Sequence, residues 1–320
     1  MKIMVAPPVS APTPASGAVT GLTDALIRAG ARPLRRRRQL GRVLRRLPLA
    51  SKAPHVGGTI ILPMMGWDAV KAAAYGTWSS TVPVCWDVWE PQWPQWVRSL
   101  EKLRPQLVFV TAQQSAEYLA EHLPMPVLHL PEATTVSGYQ PGLPLAERSI
   151  DVLELGRRDE EWHAAALRCL STSYRHHYEQ VPGQIIFPTR QELVAGLADA
   201  RISICIPGSM TNAARCGTVE TATHRYFESF ASRALVLGHA PDELLDLFGY
   251  NPVVEIDWQR PAEQLLALLS DISTWQAHVD RNYQRVLEVG DWAQRAATIM
   301  SVLSSTAAAP VVTSASAPAR

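Results

Sequence analysis

The chain has 320 residues, of which 47% are hydrophobic and 18% are charged, with a net charge of +1 and four cysteines. Such a chain has room for two domains and enough apolar residues for a core in each, which excludes wholesale disorder. It contains no run of 18 uncharged apolar residues and no recognisable secretory leader, and its cysteines lack metal-ligand spacing. We therefore expect a cytoplasmic protein with reduced thiols, without a transmembrane helix, a zinc module or a disulfide framework.

The small net charge hides an uneven distribution. Residues 1–146 carry 15 basic and 8 acidic side chains, whereas residues 147–320 carry 15 and 21. Between Arg28 and Lys52 there are nine arginines, one lysine and no acid. Because leucines recur at helical spacing among these arginines, the segment Arg32–Arg46 is either a basic amphipathic helix that contacts an anionic membrane or a flexible basic loop. A local patch of this kind does not favour nucleic-acid binding, for which a wholly basic domain is more usual.

Predicted strands and helices alternate in the first half of the chain. The opening "KIMVAP" has the character of a short buried strand, and the helix that follows is predicted to end at Gly30. Further strands are predicted over 58–64, 81–87, 107–112 and 126–131, and further helices over 67–75, 93–102 and 113–122. This alternation favours a parallel sheet with helices on both faces.

A second alternation follows a stretch rich in proline, glycine, serine and threonine at 131–149, where we place the linker. The predicted strands are 149–156, one near 184–187, 201–207, 234–238 and 252–257, and the predicted helices are 158–170, 189–198, 224–232, 241–249, 261–270 and 273–303. The sequence therefore predicts an α/β protein with two Rossmann-like, doubly wound domains that face each other across a cleft. Their expected limits are 1–146 and 147–304, with a disordered tail at 305–320.

The most informative stretch, "CGTVETATHRYFESFASRALVLG", covers 216–238. A helix that begins near His224 would direct its free backbone N–H groups at an anion, and the guanidinium of Arg225 suits phosphate oxygens. Glu228, one turn further on, could accept hydrogen bonds from the hydroxyls of a ribose. This set fits a nucleoside diphosphate. The local sequence is also compatible with Glu228 as a partner of the helix dipole and Arg225 as a surface charge.

The segment from Arg225 to Asp257 resembles the C-terminal region of glycosyltransferases with the GT-B fold, in particular the spore-coat-protein-like, group 1 type. In that type an Arg-x-x-Glu pair, here Arg225 and Glu228, precedes a strand that a Pro-x-Glu-Leu helix follows. Many retaining enzymes of this fold carry Glu-x7-Glu, and Glu220 and Glu228 match that spacing. The resemblance covers about 149–303. It implies that Glu228 contacts the ribose of the donor and that Glu220 lies near the donor sugar, with a catalytic part.

Three other strand-end loops are candidates for donor binding. Gly156 and Arg157 follow a predicted strand, and the resemblance implies that this turn faces the donor phosphates; Arg157 could instead pair with the acids beside it on a solvated turn. Thr189 lies in a loop that the resemblance puts beside the nucleotide base. Ser209 and Thr211 lie in the loop after the strand 201–207. Ordinary capping chemistry would also explain the residues of these two loops.

Six of the ten tryptophans fall between residues 67 and 96. Because "VCWDVWEPQWPQW" follows a predicted strand, it should lie at the cleft, where Trp86 and Trp89 could stack on sugar rings on the acceptor side. Asp87 is the candidate to contact the acceptor and to accept its proton as a catalytic base. A tryptophan packing cluster with Asp87 as a helix cap is the alternative.

The remaining motifs argue against a metal site and against several classes of enzyme. The nine histidines form no HxxxH or HExxH set, so neither a metal nor another cofactor is indicated, and His176 and His177 are expected at the surface. Gly-x-Gly-x-x-Gly, Walker A and Gly-x-Ser-x-Gly patterns are absent, which leaves dehydrogenase, NTPase and esterase functions without support.

We therefore expect a metal-independent glycosyltransferase that uses a nucleotide-diphosphate sugar as co-substrate and a glycan, lipid-linked or protein acceptor, with retention or inversion undecided. A non-catalytic nucleotide-sugar or glycan-binding protein on the same fold is the alternative. A basic membrane-docking adaptor is a third possibility, which predicts liposome binding through 32–50 and no nucleotide affinity.

Overall fold

A computed structural model describes residues 2–7, 17–34, 58–66, 79–156, 158–170, 173–181 and 183–308. Its first sheet has six strands in the order β2-β1-β3-β4-β5-β6, and all the strand pairs are parallel. These strands are β1 (Ile3–Val5), β2 (Arg32–Pro33), β3 (Thr59–Met65), β4 (Ser80–Trp86), β5 (Val108–Val110) and β6 (Val127–His129).

Helices cover both faces of this sheet. They are α1 (Gly17–Arg28), α2 (Trp93–Leu103) and α3 (Gln113–His122). Since side chains alternate between the faces of a strand, neighbours in β3 enter different cores. Ile61 packs in the cluster that contains α1, whereas Ile60 packs in the cluster that contains α2 and α3.

The second sheet has five parallel strands in the order β11-β10-β9-β7-β8. They are β7 (Ile150–Glu154), β8 (His176–His177), β9 (Ala200–Cys205), β10 (Leu235–Gly238) and β11 (Val254–Glu255). The helices of this half are α4 (Glu160–Cys169), α5 (Arg190–Asp199), α6 (Gly208–Thr211), α7 (Ala213–Cys216), α8 (His224–Ala231), α9 (Asp242–Phe248), α10 (Pro261–Ser270) and α11 (Gln276–Val289). Val236 and Leu237 of β10 enter opposite cores, so this sheet is also covered on both faces. The predicted fold class is confirmed.

The last helix, α12 (Trp292–Ala308), returns to the first sheet. Four residues on one face of it, Trp292, Ala296, Ile299 and Leu303, pack in the same core as α1 and β3. The predicted limit at 146/147 falls between the two sheets and stays a prediction, as does the tail, most of which lies outside the described residues.

Two predicted elements are wrong. Residues 184–187 form no strand; the edge strand of the second sheet is β8, since His176 pairs with Val152 there. The long helix expected over 273–303 is divided into the 3-10 turn Ile272–Trp275, α11 and α12. The division near Gly290 arises because Thr134 exchanges backbone hydrogen bonds with Gly290 and Trp292, which draws the chain off the helical path.

Part of the first half cannot be compared with its prediction. The helix expected over 67–75 and the basic residues from 35 to 57 lie outside the described residues, and Arg32 belongs to β2. No observation on the described residues supports the expected membrane contact. Among them, no helix is both long and apolar enough to cross a bilayer.

Candidate functional site

The carboxyl ends of the two sheets meet through a network of direct contacts. Glu90, which follows β4, accepts hydrogen bonds from the backbone N–H (2.6 Å) and the hydroxyl (2.8 Å) of Thr218. Gln114 at the start of α3 accepts from the N–H of Glu220 at 2.7 Å, and the N–H of Gln113 donates to Glu243 at 2.9 Å. Because strand ends in open α/β sheets are where ligands bind, this junction is the candidate site.

Asp87 lies at this junction, directly after β4. Its backbone has φ of +57°, a left-handed conformation that L-residues adopt rarely and that often marks a functional position. Its carboxylate accepts a hydrogen bond from Arg215 of the opposite half at 3.2 Å and remains about one-third exposed. The contact with Arg215 fixes the orientation of the Asp87 carboxylate where the two halves meet.

The two tryptophans expected on the acceptor side are buried. Trp86 is 1% exposed and packs edge to face on Trp292, with 5.9 Å between the ring centroids. Trp89 is 3% exposed and packs against Ala112, Cys216 and Val219. In this structure neither ring has an open face for a sugar: Trp86 packs in the core of the first half, and Trp89 packs across the junction.

Glu228 in α8 is held by three side chains. Its Oε2 accepts from Arg225 at 2.8 Å, and its Oε1 accepts from the hydroxyl of Tyr139, which lies between β6 and β7 in the chain. Arg190 donates to the same hydroxyl at 2.7 Å and covers the Tyr139 ring. Burial acts to raise the pKa of Glu228, but the charges of Arg225, His224 and Arg190 and the bond from Tyr139 outweigh it and bring the pKa below its usual value. Glu228 is therefore an oriented, ionised acceptor.

The N-terminus of α8, where an anion was expected, is occupied by the protein's own Glu132. This carboxyl accepts a hydrogen bond from the backbone N–H of His224, whose ring lies 3.9 Å away. Burial raises the pKa of Glu132 well above its usual value, and the negative charges of Asp87 and Glu243 raise it further. Glu132 therefore keeps its proton to a higher pH than an exposed glutamate does.

The raised pKa of Glu132 makes stability depend on pH. The folded protein retains a proton that the unfolded chain loses above its pKa of about 4.5, so this contribution to stability falls as pH rises towards the folded-state pKa. A glutamine at this position does not titrate. Thermal unfolding scans measure the Tm of Glu132→Gln minus the Tm of the wild type at each pH. We expect this difference to be more positive at pH 8 than at pH 5 by about 2 °C or more.

The exposed Glu263 supplies the control for that experiment. Glu263→Gln should show the same difference from the wild type at both pH values. If Glu132→Gln behaves like this control, Glu132 does not carry the extra proton.

Glu220 belongs to a second cluster of charges at the junction. Its carboxylate lies 3.2 Å from Nε2 of His239, and Nδ1 of His239 lies 2.9 Å from Glu255. Burial acts to lower the pKa of His239, but the hydrogen bonds and charges of Glu255 and Glu220 prevail and raise it. Glu220 is about one-third exposed and is therefore open to a ligand in the cleft.

The loops after β7 and β9 line a pocket of about 230 Å³ that contains two of the predicted donor contacts, Gly156 and Thr211, together with Arg158. Gly156 has φ of +83°, and Thr211 donates its hydroxyl to the carbonyl of Pro207 at 3.3 Å. Arg157 lies outside the described residues. The pocket therefore combines a strand-end turn with the guanidinium of Arg158, which lies 3.2 Å from the carboxylate of Glu160.

The other loop residues have local partners or none. Thr189 caps α5 in a capping box with Glu192. The hydroxyl of Ser209 is buried and has no hydrogen-bond partner among the described residues. The structure thus brings Arg225 into contact with Glu228 and places Gly156 and Thr211 in one pocket. Thr189 performs the ordinary capping that its sequence also allowed.

Sequence reasoning missed four residues of this junction, namely Glu132, Tyr139, Arg190 and Glu243. Glu132 follows β6 at a strand end, which was the available signal. Tyr139 and Arg190 meet Glu228 over separations of 89 and 38 positions, and no local pattern indicates such contacts. Glu243 accepts from the Thr221 hydroxyl and the Ala222 N–H as well as from Gln113, which again depends on the tertiary fold.

Solved structures resemble the chain over nearly its whole length. The sucrose-phosphate synthase of Thermosynechococcus elongatus has 14% identity and a TM-score of 0.58, with 88% of this chain and 82% of that chain covered. HepE of Anabaena, solved in complex with UDP-glucose, has 11% identity and a TM-score of 0.60, with 95% of this chain and 100% of that chain covered. The chain has the GT-B fold.

Another GT-B structure, the DNA-modifying β-glucosyltransferase, has 11% identity and a TM-score of 0.55, with 95% of this chain and 100% of that chain covered. Neither the known family models nor the curated protein sequences contain a match to this chain. At such identities the likeness establishes the GT-B fold and leaves the activity to be argued from the site.

Proposed function

We propose that the protein is a glycosyltransferase that moves a sugar from a nucleoside-diphosphate donor to a hydroxyl group of a glycan, lipid-linked or protein acceptor. The observation that carries this proposal is Glu228, an ionised carboxylate held between Arg225 and Tyr139 near the start of α8 in a GT-B fold. The UDP-glucose bound to HepE, which is covered over its entire length, supports a nucleotide-sugar donor.

In this proposal the second sheet holds the donor. Each carboxylate oxygen can accept more than one hydrogen bond, so Glu228 keeps the capacity to bind two ribose hydroxyls while Arg225 and Tyr139 orient it. The turn at Gly156 and Arg157 would approach the phosphates, and Gly156 lines a pocket with Arg158 and Thr211. Glu220 would lie near the donor sugar.

The reaction is a substitution at the anomeric carbon. The acceptor oxygen forms the new bond, the bond to the nucleoside diphosphate breaks, and the leaving group departs with the bonding electrons. In an inverting reaction Asp87 would take the acceptor proton; in a retaining reaction an oxygen of the leaving phosphate would take it. Arginine side chains would stabilise the departing charge, and the two halves would orient both substrates without a metal ion.

Nucleotide binding is the first test. We expect one of UDP, GDP, ADP, CMP and dTDP to raise the Tm of the wild type, because a ligand at 100 times its Kd stabilises the folded state by about 2.7 kcal/mol. The sugar form of that nucleotide should then be hydrolysed slowly or transferred to an added acceptor. If no nucleotide shifts the Tm, the donor site is absent and the proposal fails.

Asp87 distinguishes the inverting route, in which it is the base, from the retaining route. We expect Asp87→Asn to lose turnover by 100-fold or more while it retains the nucleotide-dependent Tm shift, because removal of a general base affects the chemical step. Asp246→Asn is the control and should keep both properties, because Asp246 lines a separate pocket beside His129 and Glu243. Equal turnover in the two variants would rule out Asp87 as the base.

A further inference from the structure

Three ionisable side chains from separate elements meet in the interior of the second half. Glu154 ends β7, His163 lies in α4 and His176 lies in β8. One potential ligand atom of each lies within 4.8 Å of those of the other two. Their side chains are 5%, 8% and 6% exposed, respectively, so solvent reaches none of them freely. This cluster, Glu154–His163–His176, is separate from the contacts of Glu228.

The contacts inside the cluster leave several of its polar atoms unpartnered. Nδ1 of His163 lies 2.6 Å from Oε2 of Glu154, whereas Nε2 of His176 is 3.5 Å from the same oxygen. Oε1 of Glu154 and both ring nitrogens of His176 have no hydrogen-bond partner among the described residues. Because buried polar atoms are nearly always paired, three unpartnered atoms in one cluster indicate that a ligand is needed to satisfy them.

The charges in the cluster indicate whether that ligand is a cation or an anion. Among the described residues, Glu154 forms ion pairs with the two imidazoles and with no lysine or arginine. A buried carboxylate requires a compensating positive charge. A cation placed between Glu154, His163 and His176 would supply that charge and would use the free lone pairs of the rings.

We propose that Glu154, His163 and His176 bind a divalent transition-metal ion of the zinc class. Two imidazoles and one carboxylate are a common zinc ligand set that leaves one coordination position open. Bonds of about 2.0–2.2 Å place ligand atoms closer together than 4.8 Å, so the side chains would draw in around the ion. The site goes beyond the proposed transferase activity and does not depend on it.

The ion would be reached through the adjoining pocket, and its binding requires the side chain of Arg158 to move. Glu154 and Tyr178 line the 230 Å³ pocket at the end of β7, whereas the two histidines do not, so the open position would face the pocket and accept a water molecule. Arg158 lies 3.3 Å from Nε2 of His163. If the ion binds Nδ1, the ring proton moves to Nε2, and Arg158, which is 28% exposed, has to swing away.

The experiment uses the full chain, stripped with EDTA and dialysed, and titrates it with Zn²⁺ by calorimetry, with bound zinc counted by elemental analysis after desalting. We expect one Zn²⁺ per chain and a Zn²⁺-dependent rise in Tm. His176→Ala should weaken binding by at least 10-fold and abolish the Tm shift. Ca²⁺, which prefers oxygen ligands, should not bind this site.

His177→Ala is the matched control, since His177 is the next residue of β8 and its ring neighbours Phe187 instead of the cluster. It should bind Zn²⁺ as the wild type does. Glu154→Gln, which keeps the shape of the side chain, guards against a folding defect and should also lose the Tm shift, whereas Arg158→Ala should bind at least as tightly as the wild type. Absence of zinc from the wild type, or equal binding by His176→Ala and His177→Ala, would overturn the proposal.

Discussion

Replacement of Glu228 by glutamine is expected to reduce affinity for the stabilising nucleotide by about 100-fold or more. Hydrogen bonds to a charged acceptor contribute about 1.5–3 kcal/mol each, and a ribose would lose two of them. The amide also presents a donor group to Arg225 or Tyr139, both of which now donate to the carboxylate. Calorimetric titration of wild type and Glu228→Gln with the same nucleotide measures the effect.

A 2′-deoxy nucleotide makes this result specific for the ribose. The wild type should bind the 2′-deoxy form more weakly than the ribo form, whereas Glu228→Gln should discriminate little between the two, because the group that recognises the hydroxyl is gone. This comparison is made within each protein and is therefore insensitive to a small loss of stability. Glu263→Gln, on an exposed surface, should retain the full discrimination. Unchanged discrimination in Glu228→Gln would place the ribose elsewhere.

Truncation of Trp292 to alanine is expected to cost about 3–5 kcal/mol of unfolding free energy, the usual range for a buried tryptophan. The ring is 1% exposed and lies at the start of α12, where the chain returns to the first sheet. It packs on Trp86, directly before Asp87. Gly21 in α1 provides its space, since a Cβ there would come within 2.5 Å of the indole. Denaturant unfolding followed by circular dichroism measures the loss.

Trp258 provides the control for this truncation because it is 43% exposed. Trp258→Ala should change the unfolding free energy by no more than about 0.5 kcal/mol, as is usual for surface positions. If the two variants lose similar stability, the return of α12 does not hold the first half together.

Local sequence predicted most of the regular structure because its signals are short-range. The helix expected over 113–122 has those limits in the structure, and the strand expected over 81–87 is β4, one residue earlier. Apolar runs and caps act within a few residues and therefore survive in the tertiary fold. The strand expected near 184–187 does not form, because β8 pairs with β7 at that edge of the sheet instead. A strand as short as β8 is determined by its pairing partner and not by its own composition.

Some residues of the candidate site were predicted from the sequence, and others were not. Asp87, Gly156 and Thr211 were predicted because each follows a strand, and parallel strands direct their carboxyl ends to one edge. Glu220 was predicted from its spacing to Glu228 and from the family resemblance. His176 was expected at the surface, yet its side chain is 6% exposed in the cluster with Glu154 and His163. Their positions in the chain show no metal-ligand spacing, so a sequence search for such a motif could not find them.

The sequence by itself determined the alternation of strands and helices and the division into two parallel sheets, because these depend on the periodicity of apolar residues within short segments. Only the tertiary structure decided that Glu132 occupies the start of α8, that Tyr139 and Arg190 hold Glu228, and that Trp86 is buried against Trp292. The physical reason is that burial and the pairing of charges depend on distances in space. Residues up to 206 positions apart acquire those distances when the chain folds.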